Sequence, residues 1–360
     1  FSAAEYTHPS LSSIETGMYP HHHQVFNDKI AIELRKDYIT LSERMRSCGY
    51  VTASLMGDGS GVYTGTTRGH DRLIISPYRQ HAYEGIERLI RYLEGFGEAD
   101  SFIFLHTSDT HPWPNDAFQV TTSVQASLPL AARLSGPEER IPSPYMKTRP
   151  LYQAAFWQSV HDLDRALGTL FSYLEANYVP DEYLVSLYSD HGVPIFSAQH
   201  HIVDENMTGA VWMMRGAGVP SGKISSELTS SVDLYPALAH LLDFPVDKNV
   251  DGSLPKILGG SGHDIVFSNS LYPGKQYFLS ARSKTHTLRL SSNDVVSMDG
   301  TVDLEKTEIA IYPCRHEGIE SYILDSEELR AFFYPRVRAF LKGIDSNGEQ
   351  FPHPPFGSDD

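Results

Sequence analysis

Three short stretches hold the residue types from which an ester-cleaving site could be built. "SDHG" (189–192) sets Asp190 beside His191, a carboxylate and an imidazole that together suit Zn²⁺, Mn²⁺ or a similar divalent ion. Gly192 lets the backbone turn sharply after them. The same pair also suits a plain polar loop in which Asp190 caps the next segment. "DTHPW" (109–113) sets His111 before a rigid Pro-Trp, where it could donate a hydrogen bond to an anionic ester or protonate a leaving group; a solvated loop histidine is the alternative. "THPSLSSIETG" (7–17) brings Thr7 to the mouth of a short helix that starts near Ser10 and stops at Gly17. Free N–H groups and the helix dipole stabilise negative charge there. Bound to a metal, a Thr hydroxyl can lose its proton and attack phosphorus, although Thr is also an ordinary helix cap. "QHH" (199–201) offers His200 or His201 to the site of Asp190 and His191. "HHH" (21–23) reads as a weak surface metal trap rather than a catalytic group.

These residues need elements to hold them. "YVTASLM" (50–56), "SFIFLHTS" (101–108), "YLVSLYSD" (183–190) and "GAVWMM" (209–214) read as buried strands. Helical patterns precede the first three: 38–49, 82–97, and a long one with Phe156, Val160, Leu163, Leu167, Leu170 and Leu174 on one face. A further helix is predicted over 231–244. Helices alternating with short apolar strands indicate an α/β fold with a mostly parallel central sheet flanked by helices. Ligands of such sheets bind at the carboxyl ends of the strands, where Asp109, His111, Asp190 and His191 fall. Beyond about residue 265 come "QYFLSA", "HTLRLSS", "DVVSMDG" and "EIAIYP", then a helix over 326–343 with Pro335 expected to kink it. That pattern predicts a small C-terminal antiparallel sheet plus helix (266–360) beside the α/β unit (1–265), ending in a loose strap.

Composition narrows the partners. The chain has 360 residues, 41% hydrophobic and 21% charged, an ordinary balance for a globular protein. Its formal net charge of −16 opposes a grip on nucleic-acid phosphates or an anionic membrane surface. No apolar run approaches the roughly 20 residues of a membrane span. The two cysteines, Cys48 and Cys314, make neither a disulfide framework nor a cysteine zinc site, and read as buried free thiols.

Taken in order, the motifs resemble the sulfatase-like branch of the alkaline phosphatase superfamily. That family's nucleophile signature is Cys (or Ser)-x-Pro-Ser-Arg, with Thr-Gly five residues beyond the Arg. Thr7, Pro9, Ser10, Thr16 and Gly17 stand in that spacing. "TLSERMRSCGYVTASLMG" (40–57) looks like the family's next helix and strand, and "RGHD" (68–71) like its Gly-Phe-Asp turn. "FIFLHTSDTHPWP" resembles its strand followed by Asp-x-His-x-Pro. "YLVSLYSDHG" resembles its metal-binding strand end, and "SVDLYPALAHLLDFPV" its Asp-Leu-Tyr-Pro helix. The likeness covers roughly residues 1 to 250.

The resemblance implies Thr7 as nucleophile and Asp190, His191 and Thr7 as ligands of one divalent ion (Ca, Mn, Mg or Zn). His111 would contact the transferred group or its leaving oxygen, and Asp109, His200 or His201 would bind substrate. It implies an anionic ester as substrate and, from the habit of relatives, an extracytoplasmic or secretory setting. Three departures shape the expected reaction. Thr cannot become formylglycine, so none is expected, and Thr is instead the nucleophile type of phosphate-transferring relatives. The family Arg is Leu11. The family's first strand, which carries metal-binding carboxylates, has no counterpart in these residues, so an upstream segment or a second chain is expected to complete the sheet. The leading expectation is a metal-dependent hydrolase or transferase acting on a phosphate or sulfate ester. The alternatives are a catalytically degenerate sulfatase-fold protein with a binding or structural role and, third, a formylglycine-type sulfatase.

Overall fold

A computed structural model describes residues 1–26, 33–57, 64–76, 80–111, 150–193 and 201–346. Helix α1 (Thr7–Thr16) ends where Gly17 takes φ +67°, and α2 (Pro20–His23) follows. A side chain at Gly17 would be strained by that φ, and its Cβ would lie 2.7 Å from Val250 Cγ1. Thr40 and Glu43 form a capping box at the start of α3 (Leu41–Ser47), which leads into β1 (Val51–Gly57).

Strand β1 is the centre of a parallel three-stranded sheet. It pairs with β2 (Arg72–Ser76) from Ala53↔Arg72 to Gly57↔Ser76, and with β3 (Ser101–Leu105) from Val51↔Ser101 to Leu55↔Leu105. With a strand on each side, β1 is buried from Thr52 onward. Strand β2, which the sequence reading did not pick out, is an edge strand with Leu73 and Ile75 exposed. Helix α4 (Ala82–Phe96) joins β2 to β3, and α5 (Pro150–Asn177) leads to β4 (Leu184–Tyr188). The short α6 (Glu205–Thr208) precedes β5 (Trp212–Gly216), which pairs antiparallel with β4 from Leu184↔Gly216 to Tyr188↔Trp212. The predicted helix over 231–244 is a 3₁₀ turn, Ser231–Asp233, continued by α7 (Leu234–Leu241).

Two apolar clusters cover the strands from opposite sides. Leu11 and Ile14 of α1, Leu41 and Met45 of α3, and Leu234 and Leu238 of α7 pack with Phe102, Phe104, Leu184 and Trp212. Ile86 of α4 and Ala166, Leu170 and Leu174 of α5 pack with Leu105 and Val185.

The C-terminal sheet is antiparallel, in the order β6 (Val266–Ser270), β7 (Gln276–Arg282), β8 (His286–Val295), β9 (Thr307–Pro313). "DVVSMDG" is not a strand of its own: Asp294 and Val295 end β8 and the rest is turn. Helix α8 (Glu327–Phe340) continues through Pro335 and packs Phe333, Val337 and Phe340 on the sheet. Ala3, Tyr19, Phe26 and Val232 join that core, so the sheet is welded to the N-terminal unit. The tail 347–360 lies outside the described residues. Both cysteines are free, but Cys48 is exposed because α3 ends on the surface at that residue. No described helix is long and apolar enough to cross a membrane.

Candidate active site

The carboxyl ends of β3 and β4 and the amino end of α1 supply the candidate groups. Thr7 is the first residue of α1, and the cap residue is Tyr6, which makes no side-chain cap bond. Its hydroxyl instead reaches across 184 residues of sequence to His191, with Thr7 Oγ1 3.4 Å from His191 Nε2. Pro9 sits in the first turn, where a helix has no use for its missing N–H.

His191 is oriented by its own loop. Its Nδ1 lies 2.8 Å from the Gly192 carbonyl, which can only accept, so in the neutral ring the proton is on Nδ1. The lone pair on Nε2 then faces Thr7. Asp190 Oδ2 is 3.5 Å from the same Nε2, and Asp190 Oδ1 accepts the His191 amide at 3.0 Å. Burial raises the Asp190 carboxyl's pKa, but His191, His106, the His191 amide and the Thr7 hydroxyl outweigh burial and hold it below the ordinary 3.8. Gly192 serves a close approach as well as a turn: a Cβ there would lie 2.3 Å from the Asn206 carbonyl oxygen.

Two residues that the sequence reading passed over belong to this neighbourhood. His106 directly follows β3 and is among the groups acting on Asp190; its place in the strand-end run "FLHTS" was the available signal. Glu5 is buried, and its Oε2 has no hydrogen-bond partner. Burial pushes its carboxyl up to about 7, opposed by Ser270, its own amide and His191. Nothing in the sequence around Glu5 marks it.

The remaining expected residues are spread wider. Asp109 is buried at the amino end of α4: its Oδ2 accepts the Ala82 amide at 2.9 Å and its Oδ1 is 3.7 Å from His81 Nδ1. His111 is half-buried in the turn after β3, its amide donating to the Ser108 carbonyl at 3.2 Å. His201 lies edge-on against Phe278 of the C-terminal sheet, its ring centroid 4.8 Å away. His200 is outside the described residues. The histidines of "HHH" are engaged by other groups rather than forming a surface trap, although the His21 and His22 ring centroids lie 4.1 Å apart. His23 is buried with its Nε2 3.0 Å from Ser13 Oγ, His22 Nδ1 is 2.7 Å from Asp251 Oδ2, and the His21 ring packs 4.6 Å from Phe340.

A hydroxyl at the amino end of α1 thus meets an imidazole and a carboxylate at the carboxyl end of β4, where α/β folds place their ligand sites. Residues 1–244 match the family model described as Sulfatase, and the chain belongs to that family, within the alkaline phosphatase superfamily. No curated protein matches it. Solved structures share its fold at low identity. A Bacteroides thetaiotaomicron protein from work on glycosaminoglycan metabolism is 15% identical over 96% of this chain and 86% of its own, with a TM-score of 0.72. A structure in complex with its substrate D-glucosamine-2-N,6-O-disulfate is 14% identical over 95% and 88%, with a TM-score of 0.65. A phosphonate monoester hydrolase from Silicibacter pomeroyi is 16% identical over 94% and 85%, with a TM-score of 0.64.

Enzymes of this family typically use a divalent metal. Asp190 gives one carboxylate, His191 one imidazole nitrogen and Thr7 a hydroxyl. Among the described residues no group of three or more His, Cys, Asp or Glu side chains is placed to hold a metal ion. These residues alone therefore do not fit a held divalent ion, which takes most of its ligands from such side chains.

Proposed function

We propose that the protein cleaves a sulfate or phosphate ester, by hydrolysis or transfer, with Thr7 as the attacking group. The observation that carries this reading is the Thr7–His191 pair, in which a hydroxyl faces a ring nitrogen left unprotonated by the Gly192 carbonyl. His191 Nε2 takes the Thr7 proton as Thr7 Oγ1 bonds to sulfur or phosphorus. The bond to the leaving oxygen breaks, and that oxygen gains a proton, a role this reading gives to His111. Water or an acceptor hydroxyl then releases Thr7. Developing negative charge falls at the amino end of α1, the positive end of the helix dipole. Asp190, held ionised, steadies the imidazolium formed on His191. Asp109 holds the amino end of α4 and His81 at the rim. An extracytoplasmic or secretory setting is part of the same reading, on family likeness.

Family membership supports the ester-hydrolase class. The residue roles are tested by hydrolysis of p-nitrophenyl sulfate, p-nitrophenyl phosphate and p-nitrophenyl phenylphosphonate. Thr7→Val is expected to lose about 100-fold or more in kcat on whichever ester the wild type cleaves, and Thr7→Ser to keep measurable turnover. A Thr7→Val enzyme as fast as the wild type would sink the assignment. A second reading, binding of an anionic ester without turnover, is favoured by Leu11, which is buried in the core where the family has a cation. It predicts no hydrolysis of any of the three esters, together with a raised Tm in the presence of p-nitrophenyl sulfate.

A further inference from the structure

Helix α6 is a single turn of four residues, and one turn cannot hold itself, because nucleation fixes several dihedrals for one hydrogen bond. It is held from outside. Asp204 caps its amino end: the side chain is buried, and its Oδ1 accepts the Asn206 amide at 3.0 Å and the Met207 amide at 3.2 Å. Burying a carboxylate is costly unless such bonds compensate it. The Asp204 carbonyl also accepts the Thr208 hydroxyl, at 2.7 Å. Val203, one residue earlier, is fixed from the C-terminal sheet, where the Ser280 hydroxyl and Arg282 Nη2 each donate to its carbonyl at 2.6 Å.

The turn meets the site loop at Gly192. The peptide between Asn206 and Met207 has its N–H on Asp204, and its carbonyl oxygen stands 2.3 Å from where a Gly192 Cβ would be. The next carbonyl, that of Met207, accepts the Gly192 amide at 2.7 Å. Gly192 is thus gripped at its amide and abutted at its Cα, and its own carbonyl is the partner of His191 Nδ1. The carbonyl after that, Thr208, accepts the Ser2 amide at 2.8 Å, on the segment that leads to Thr7. Both members of the Thr7–His191 pair are therefore referenced to one capped turn.

We propose that Asp204 is a positioning residue for the Thr7–His191 pair. By holding α6 it keeps the Gly192 carbonyl on His191 Nδ1, and so leaves the Nε2 lone pair facing Thr7. An imidazole whose Nδ1 partner drifts away can carry its proton on Nε2 instead, where it can no longer accept one. Asp204 acts through its acceptor oxygen rather than its charge, since the two amides it caps are neutral donors. The effect on turnover rests on the reading of Thr7 as the attacking group; the effect on the ring does not.

The test compares Asp204→Ala with Asp204→Asn, which keeps an acceptor oxygen and is an equally good cap, and with Ser280→Ala, which loosens Val203 and leaves the cap in place. The first readout is long-range proton–nitrogen NMR of the full chain labelled at histidine, at about pH 8.5 where histidine rings are neutral. The His191 signals are those lost in His191→Gln. The wild type and Asp204→Asn are expected to carry the proton on Nδ1, Asp204→Ala to show both tautomers, and Ser280→Ala a smaller admixture. The second readout is kcat on whichever p-nitrophenyl ester is cleaved. It is expected to fall about tenfold in Asp204→Ala with KM within about twofold, and to stay within about twofold in Asp204→Asn. A mixed ring with unchanged kcat would support the role of Asp204 and count against the ester-hydrolase reading. A wild-type ring protonated on Nε2, a folded Asp204→Ala with the proton on Nδ1 alone, or Asp204→Asn behaving like Asp204→Ala would each overturn the proposal. Should Asp204→Ala not fold, an unmixed ring in Ser280→Ala would overturn it equally.

Discussion

Position 191 shows how one backbone carbonyl can set the chemistry of a side chain. Replacing the Gly192 carbonyl contact is not possible by mutation, but the nitrogen it leaves free can be removed. His191→Gln is expected to lower kcat by about 100-fold while binding of an inert sulfate ester is kept within a few-fold, checked by steady-state kinetics and calorimetry. Glu15 makes a residue-scale prediction about pH. It is buried, and its Oε2 accepts the Ser42 amide at 3.2 Å and the Ser42 hydroxyl at 3.0 Å. Burial nevertheless pushes the carboxyl up from 4.5 to about 7. Because the folded value exceeds the unfolded one, the native state holds the extra proton between those values, and stability falls as pH rises through that window. Glu15→Gln keeps an acceptor for Ser42 and removes the titration. Relative to the variant, the wild type should lose about 2–3 kcal/mol between pH 4.5 and pH 8, measured by urea unfolding. Equal slopes for the two proteins would contradict the buried, raised carboxyl.

At the scale of elements, Thr40 ties α3 to the turn before β2. Its hydroxyl accepts the Glu43 amide at 3.0 Å and donates to the Arg68 carbonyl at 3.0 Å, and Glu43 answers the Thr40 amide at 2.9 Å. Thr40→Ala should cost about 1–2 kcal/mol, read from the denaturation midpoint. The elements that sequence made legible are those with long periodic faces or several apolar residues in a row. Helix α4 and strands β1, β3 and β4 fall within a few residues of their predicted bounds, and α5 spans the predicted apolar face from Phe156 to Leu174. Strand β2 was missed because an edge strand with Leu73 and Ile75 facing solvent lacks a buried strand's apolar context. The antiparallel direction of β5 was also not legible, since strand direction is set by connections and partners rather than by composition. In the site, Thr7, Asp190 and His191 stand out by motif, and the structure brings them together. Glu5 and His106 become visible only once α1 and β3 are set beside β4, because their roles depend on neighbours far away in sequence.

For the whole molecule, the net charge of −16 sets a long-range field against an anionic ester. Raising the salt concentration from about 10 mM to 150 mM shortens the Debye length from about 30 Å to 8 Å and should raise kcat/KM for p-nitrophenyl sulfate by a few-fold. A fall over the same range would mean that the field at the site is positive despite the total. A second whole-molecule feature is the buried Arg282 of β7. Its Nη2 donates to the Val203 carbonyl at 2.6 Å and lies 3.6 Å from Glu317 Oε2. Arg282→Ala strands that carboxylate inside the protein and should cost about 3–5 kcal/mol, seen as a large drop in Tm.

The backbone just ahead of Thr7 is held from several directions. Ser2 donates its amide to the Thr208 carbonyl at 2.8 Å and accepts the Ser268 hydroxyl at 2.6 Å, and the Ala3 carbonyl accepts the Asn269 amide at 3.0 Å. Ser268 and Asn269 belong to β6, the first strand of the C-terminal sheet. Thr7 is therefore moored to a sheet that contributes none of the groups it faces at His191. Loosening that sheet, by heat or by a mutation far out on α8, slackens the mooring before it disturbs a single reactive atom. On the proposed role of Thr7, turnover would then gauge how firmly the distant sheet is folded.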